Sequence, residues 1–254
     1  MRTREEQEAI NKACKYHPNF RKELQKMVND KRINLGNVDT SQITDMSNLF
    51  ANSIRTDFSG IEKWDVSNVT DMSFLFGNCE NFNQDISNWD VSSVENMEIM
   101  FWGCHQFNQD ISSWDVSNVK DMRLMFYRCL NFNQDIGSWN VAKVSNMRAM
   151  FADCKKFNQD ISKWDTSRAI DMQEMFNGCT NFNQPLNDWV IRENCNCSNS
   201  FKGSNLSYDN VKDAFTKEQL LECGSEKIIE ALKNKEEQVK VQKHKATVKQ
   251  RRGR

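Results

Sequence analysis

The chain has 254 residues and a net charge of −1, with nine cysteines but only two prolines and nine glycines. No stretch reaches the ~20 apolar residues of a bilayer-spanning helix, and so little proline and glycine excludes long disordered linkers within the body. The charge is uneven: residues 1–32 hold nine Lys/Arg against five Asp/Glu and residues 233–254 hold nine against two, which leaves 33–232 at −12. An acidic body with two basic ends reads as a folded unit with an interaction tail.

Residues 1–32 are expected to form an N-terminal helical cap, with helix from Glu5 to Asp30 interrupted near His17-Pro18. This end carries no apolar core of a secretory signal and no apolar run before Cys14, so the chain as written is expected to be intracellular, with virion or nucleus as alternatives.

Residues 33–204 repeat. Trp64, Trp89, Trp114, Trp139, Trp164 and Trp189 stand 25 residues apart. A period of this size means that each unit buries its apolar side only by stacking on its neighbours. About seven coils are expected. The first is divergent, and a spacing of 26 from Phe50 to Phe76 marks an irregularity near Arg55–Gly60. The last decays, with Asn194 in a Val column and Cys197 in a Met column, as terminal repeats do.

Two periodicities share each unit. Met97, Met100, Phe101 and Cys104 fall at i, i+3, i+4 and i+7, which predicts a short helix. The residue before it is always Asp or Asn (Asp45, Asp71, Asn96, Asp121, Asn146, Asp171), an N-cap type. Phe82, Gln84 and Ile86 alternate with Asn83, Asp85 and Ser87, which predicts a strand, and Gln84, Gln109, Gln134, Gln159 and Gln184 are placed for an inward amide ladder. The predicted fold is an α/β repeat: a leucine-rich-repeat-like solenoid, with a short parallel strand plus a short helix per 25-residue coil, and α-helical caps at both ends. Residues 205–232 form the C-terminal cap, with helices over 208–222 and from Ser225 to about Gln238 parted at Gly224. Residues 233–254 form a basic tail.

Chemistry-bearing residues are few. Asp85, Asp110, Asp135 and Asp160 form an outward column, read either as an acidic stripe for a basic partner or Ca²⁺, or as a solubilising face. A second column (Asp65, Asp90, Asp115, Asp165, with Asn140) reads as a turn device. Cys79, Cys104, Cys129, Cys154 and Cys179 share one column, read as reduced core although stacked spacing also permits disulfides. Lys243, Lys245, Lys249, Arg251, Arg252 and Arg254 make the tail a candidate for an anionic partner, nucleic acid included, through phosphates alone. No nucleophile elbow, phosphate loop or metal-binding motif occurs, so no catalytic residue, cofactor or metal is expected.

Trp-Asp-Val-Ser-Asn-Val-Thr-Asp-Met-Ser-x-x-Phe from Trp64 to Phe76, with Phe-Asn-Gln-Asp-Ile-Ser-x-Trp from Phe82 to Trp89, resembles the BspA-like surface-protein repeat, also found in mycoplasma lipoproteins, protists and large DNA viruses. The resemblance covers about two-thirds of the chain. It implies a leucine-rich-repeat-like solenoid and a binding or adhesion role, with no catalytic residues to carry over. The expected function is a non-catalytic scaffold holding a protein partner on its strand face. The alternative is a structural component of a virion or cell envelope, its basic tail docked on an anionic neighbour.

Overall fold

A computed structural model describes the backbone of residues 2–252 and the side chains of residues 2–246. Its regular elements are helical and terminal: α1 (Arg4–Ala13), α2 (Arg21–Asn29), α3 (Lys217–Glu222) and α4 (Glu226–Arg252), besides three single 3-10 turns. Among the described residues there is no β-strand, only isolated parallel pairings, Tyr16 with Val38 and a row along Asp45, Asp71, Asn96, Asp121, Asn146, Asp171 and Asn196. The 25-residue units lie between the helices as stacked coils of consecutive turns.

The hydrogen bonds explain why Met97–Cys104 is not a helix. The N–H groups of Met100, Trp102 and Cys104 close turns onto the carbonyls of Met97, Ile99 and Phe101. The alternate N–H groups leave the coil: Met97 donates to Asp121 O, Ile99 to Arg123 O, Phe101 to Met125 O and Gly103 to Tyr127 O, at 2.8–3.0 Å. A helix needs successive N–H groups to point back to i−4. Here a left-handed residue every fourth position, Ile99 (φ 60°) and Gly103 (φ 72°), reverses the winding. Such turns bring the chain inward at i, i+3, i+4 and i+7, the spacing that predicts a helix. The Asp/Asn column is accordingly not a row of N-caps. Each of Asp45, Asp71, Asn96, Asp121, Asn146, Asp171 and Asn196 accepts through Oδ1 from the N–H two residues on.

The predicted strand fails for a related reason. Asp85 Oδ1 holds the Ser87 N–H and bends the chain, and side chains take over the inter-coil bonding. Asn108, Asn133, Asn158 and Asn183 each donate their backbone N–H to the preceding asparagine's Oδ1 at 2.8–3.0 Å. The half-buried glutamines do not pair with one another. Gln109, Gln134, Gln159 and Gln184 donate Nε2 to the backbone carbonyls of Asn83, Asn108, Asn133 and Asn158. The strand-plus-helix, leucine-rich-repeat-like solenoid is therefore corrected to a stack of turn-built coils.

The interior is columnar. Phe76, Phe101, Phe126, Phe151 and Phe176 stack 5.7–5.8 Å apart with interplanar angles of 7–10°. A second column, Phe82 to Phe182, runs beside it, Phe101 lying 4.1 Å from Phe107. Each fully buried ring contributes roughly 1.5–3 kcal/mol. Trp89, Trp114, Trp139, Trp164 and Trp189 donate Nε1 to the carbonyl of the residue 28 positions earlier, Ile61, Ile86, Ile111, Ile136 and Ile161. The five column cysteines are free and buried, and their thiols donate to Phe50, Phe76, Phe101, Phe126 and Phe151 carbonyls.

Helices close both ends. At the first coil Ser47 O and Leu49 O have no preceding coil to serve them, and Arg21 Nε and Gln25 Nε2 of α2 donate to them instead. At the last coil the N–H groups of Asn199 and Phe201 donate to Glu222 O and Cys223 O at the end of α3. α1 begins with a capping box between Thr3 and Glu6, α3 with one between Thr216 and Gln219. α4 continues as helix far beyond Gln238 and is exposed from Lys233 to Ala246 apart from a half-buried Glu236.

Candidate partner-binding face

Asp85, Asp110, Asp135 and Asp160 lie exposed on successive coils, one coil apart. Each uses Oδ1 to accept the N–H of residue i+2 (Ser87, Ser112, Gly137, Ser162). Hydrogen bonds from Ser112 and Ser162 hold Asp110 and Asp160 below the usual carboxylate range. Both aspartate columns are thus turn devices, the second through Asp65, Asp90, Asp115 and Asp165. No group of three His, Cys, Asp or Glu among the described residues is placed to hold a metal ion.

α4 is clamped at its start, where Lys235 Nζ lies 3.3 Å from Asp209 Oδ1 and 4.3 Å from the Tyr208 ring centre, and Glu236 pairs with Lys217. Lys243 and Lys245 are exposed. The side chains of Lys249, Arg251 and Arg252, and Arg254 as a whole, lie outside the described residues.

A third surface breaks the repeat. At the left-handed position ten residues after each tryptophan stand Asn48 (first coil), Phe74, Ile99, Leu124, Ala149, Glu174 and Asn199. Three residues further on stand Gly77, Trp102, Tyr127, Ala152, Asn177 and Lys202. Phe74, Ile99, Trp102, Leu124 and Tyr127 are each half-buried. The Phe74 ring lies over Gly77, where a Cβ would come within 1.8 Å of Phe74 Cδ2, so a larger residue there would displace the ring. Its centre is 5.7 Å from that of Trp102. The result is an apolar strip across the coils that contribute Phe74 to Tyr127, ending as the columns turn to alanine and then to Glu174 and Asn177.

Charged side chains flank the strip. Arg123 pairs with Glu98, which raises its already high proton affinity. Arg128, beside Tyr127, and Arg148, whose carbonyl accepts the Leu124 N–H, are exposed. Aromatic side chains with arginine beside them are the composition enriched at protein interfaces. The sequence carried one signal of this strip: Trp102 is the one tryptophan of seven that stands off the 25-residue beat.

A recess of about 740 Å³ lies between α1 and the neighbouring coils. Its charges are largely matched within the chain: Arg4 pairs with Glu8, and Asn11 donates to Asp65. No helix among the described residues is long and apolar enough to cross a membrane.

These features define a repeat protein whose coils are built from turns and side-chain ladders. The family described as "Mycoplasma protein of unknown function, DUF285" matches residues 19–129 and 110–214, and the chain belongs to it. No curated protein and no solved structure matches the chain. The resemblance to BspA-like leucine-rich repeats is corrected accordingly: the match is to this family, and the described residues contain no strand on which a leucine-rich-repeat fold depends. The strand-face scaffold falls with it, because that face does not exist. The alternative of a virion or envelope component has nothing in the fold or the family match to support it.

Proposed function

We propose that this chain is a non-catalytic module that binds a protein partner on the strip Phe74, Ile99, Trp102, Leu124 and Tyr127. The observation that carries this reading is where the repeat is broken. At the strip's left-handed position the end coils carry Asn48 and Asn199, the residue type that tolerates φ > 0, whereas the central coils carry Phe74, Ile99 and Leu124. Bulky and β-branched side chains there cost on the order of 1–3 kcal/mol each. Nothing in the stacking requires them, since other coils fill the same position with small or polar residues. Strain retained on one face, combined with half-exposed aromatics, supports selection for contact rather than for folding.

The test places a photo-activatable phenylalanine analogue at position 127 or, separately, at position 110, in the full chain within its native source. A discrete adduct from position 127 that is lost on adding Trp102→Glu supports the strip. Adducts from position 110 alone would overturn it and return attention to the aspartate row. An adduct joining two copies of the chain would identify the partner as the protein itself.

A further inference from the structure

The stack departs from its period in one backbone segment. Eight residues separate Phe50 from Phe58, where six separate Phe76 from Phe82 and Phe101 from Phe107. The longer segment throws Ile54 out to 81% exposure and draws Arg55 in to 9%. Arg55 spans the first coil and the end of α2, its Nη1 donating to Asp57 O at 3.1 Å and its Nη2 to Asp30 O at 3.2 Å. Both acceptors are neutral carbonyls. The two nearby carboxylates act on Arg55 through space and are bonded elsewhere, Asp30 with Arg32 at 2.6 Å and Asp57 with the Ser59 N–H. Arg55 Nε is buried with no acceptor. A buried cation without an ion-pair partner is a costly arrangement.

Arg55 lines a recess of about 300 Å³ between α2 and this segment. Lys31, Asn29, Asn52 and Ser53 also line it, and no acidic side chain does. Asn52 Oδ1 already accepts from Asn78 Nδ2, and Ser53 Oγ from the Arg55 N–H, so the Asn52 amide nitrogen and the Ser53 hydroxyl proton remain as donors. Exposed Lys31 adds a second positive charge. The volume matches the low end of small-ligand sites, ~300 Å³.

We infer that this recess binds a compact oxyanion, a phosphate or a carboxylate group, which supplies the directly bonded counter-charge that Arg55 lacks. The two sources share one chemistry: charge-assisted hydrogen bonds from arginine, lysine, amide and hydroxyl donors to negative oxygens.

Inorganic phosphate and acetate, each titrated into the full chain at chloride-matched ionic strength, provide the test, read by calorimetry and by melting temperature. Saturable one-to-one binding with a rise in melting temperature is expected. Lys31→Glu should weaken it at least about tenfold, the scale of losing one charged contact. Arg55→Met, which keeps the packing, should abolish it, and Lys163→Glu, an exposed lysine remote in the sequence, should leave it unchanged. Binding of phosphate alone assigns a phosphate group, and acetate binding at least as tightly assigns a carboxylate. No saturable binding of either probe, or affinity unchanged in Lys31→Glu, overturns the site. Should Arg55→Met fail to fold, the Lys31→Glu and Lys163→Glu pair decides alone.

Discussion

The side-chain amide of Asn146 donates to Asp121 Oδ2 across 3.1 Å, between adjacent coils. The pair belongs to the alternation Asp71, Asn96, Asp121, Asn146, Asp171, Asn196. Alternation separates like charges by two coils and gives Asp71 and Asp121 an amide donor from the coil that follows. Burial already pushes Asp121 above its ordinary pKa, so ionising it costs more in the fold than in water.

Asn146→Asp should therefore bring Asp121 and Asp171 into one unbroken run of carboxylates and destabilise the protein by about 1–3 kcal/mol at pH 7. The sign with pH follows from raised folded-state pKa values. Stability from such groups is fully present below the unfolded carboxylate value and is lost as pH rises through the folded one. The penalty should shrink as pH falls toward 4. Chemical denaturation of the variant and the parent at pH 7 and pH 4 checks this, and an equal penalty at both would count against charge as the cause.

The cysteine column yields an alkaline limit. Desolvation pushes Cys79 up to about 11, and Cys104, Cys129, Cys154 and Cys179 well above the ordinary thiol value of 9.0. The fold keeps these protons while the unfolded chain loses them, so stability is intact below pH 9 and falls as pH rises from there through 11. Each such thiol contributes a slope of about 1.4 kcal/mol per pH unit. Cys129→Ala should lower the total slope by one such increment while costing some packing. A denaturation midpoint that stays flat from pH 9 to 11 would sink this account. In the native protein at pH 8 half-buried Cys14 should be the thiol that reacts with an alkylating reagent, all nine reacting after denaturation.

The tryptophan hydrogen bonds divide burial from polarity. Ile111 O accepts from Trp139 Nε1 at 3.1 Å inside the stack. Trp139→Phe keeps an aromatic ring but leaves that carbonyl with the Trp114 N–H as its remaining donor, at 3.2 Å, so a loss of about 0.5–1.5 kcal/mol is expected from the missing hydrogen bond, beyond the lost ring area. Trp139→Leu loses the same N–H and more buried area, so a cost equal to that of Trp139→Phe would point to the N–H, and a cost that follows lost area alone across the two variants would point to size.

What was legible in the sequence was the register, because burial sets it. Each beat tryptophan and the Val, Met, Phe, Cys and Ile in phase with it are interior. What was misread was the backbone between those positions. Inward pointing at i, i+3, i+4 and i+7 is common to a helix and to a run of turns, so Met97 to Cys104 did not distinguish them. The residues that do are Asn52, Asn78, Gly103, Asp153, Gly178 and Gly203, at the second left-handed position of every coil but the one that carries Arg128 there, types that favour the left-handed region and weaken helix interiors. The alternation Phe82-Asn83-Gln84-Asp85-Ile86 suggested a strand because side-chain ladders between coils leave the same two-residue parity. The strip and the Arg55 recess were hidden for another reason. Both arise where a column is broken, and a reading built on columns gives least weight to the exceptions.

Ile99 offers the sharpest separation of folding from contact. It is β-branched and held at φ 60°, a conformation in which asparagine is comfortable and Asn48 (φ 58°) and Asn199 (φ 55°) occur in the same column. Its N–H still donates to Arg123 O at 2.8 Å, so the backbone bond does not depend on the side chain. Ile99→Asn should therefore stabilise the fold by about 1 kcal/mol, relief of strain exceeding the loss of a half-exposed aliphatic contact. The reverse change, Asn199→Ile, should destabilise by a similar amount. Partner capture through the strip should weaken in Ile99→Asn and be untouched in Asn199→Ile. Urea denaturation of the two variants decides the first half without any partner: a stability loss in Ile99→Asn would mean that the apolar residue at this position serves packing, and would remove the ground for assigning it to contact.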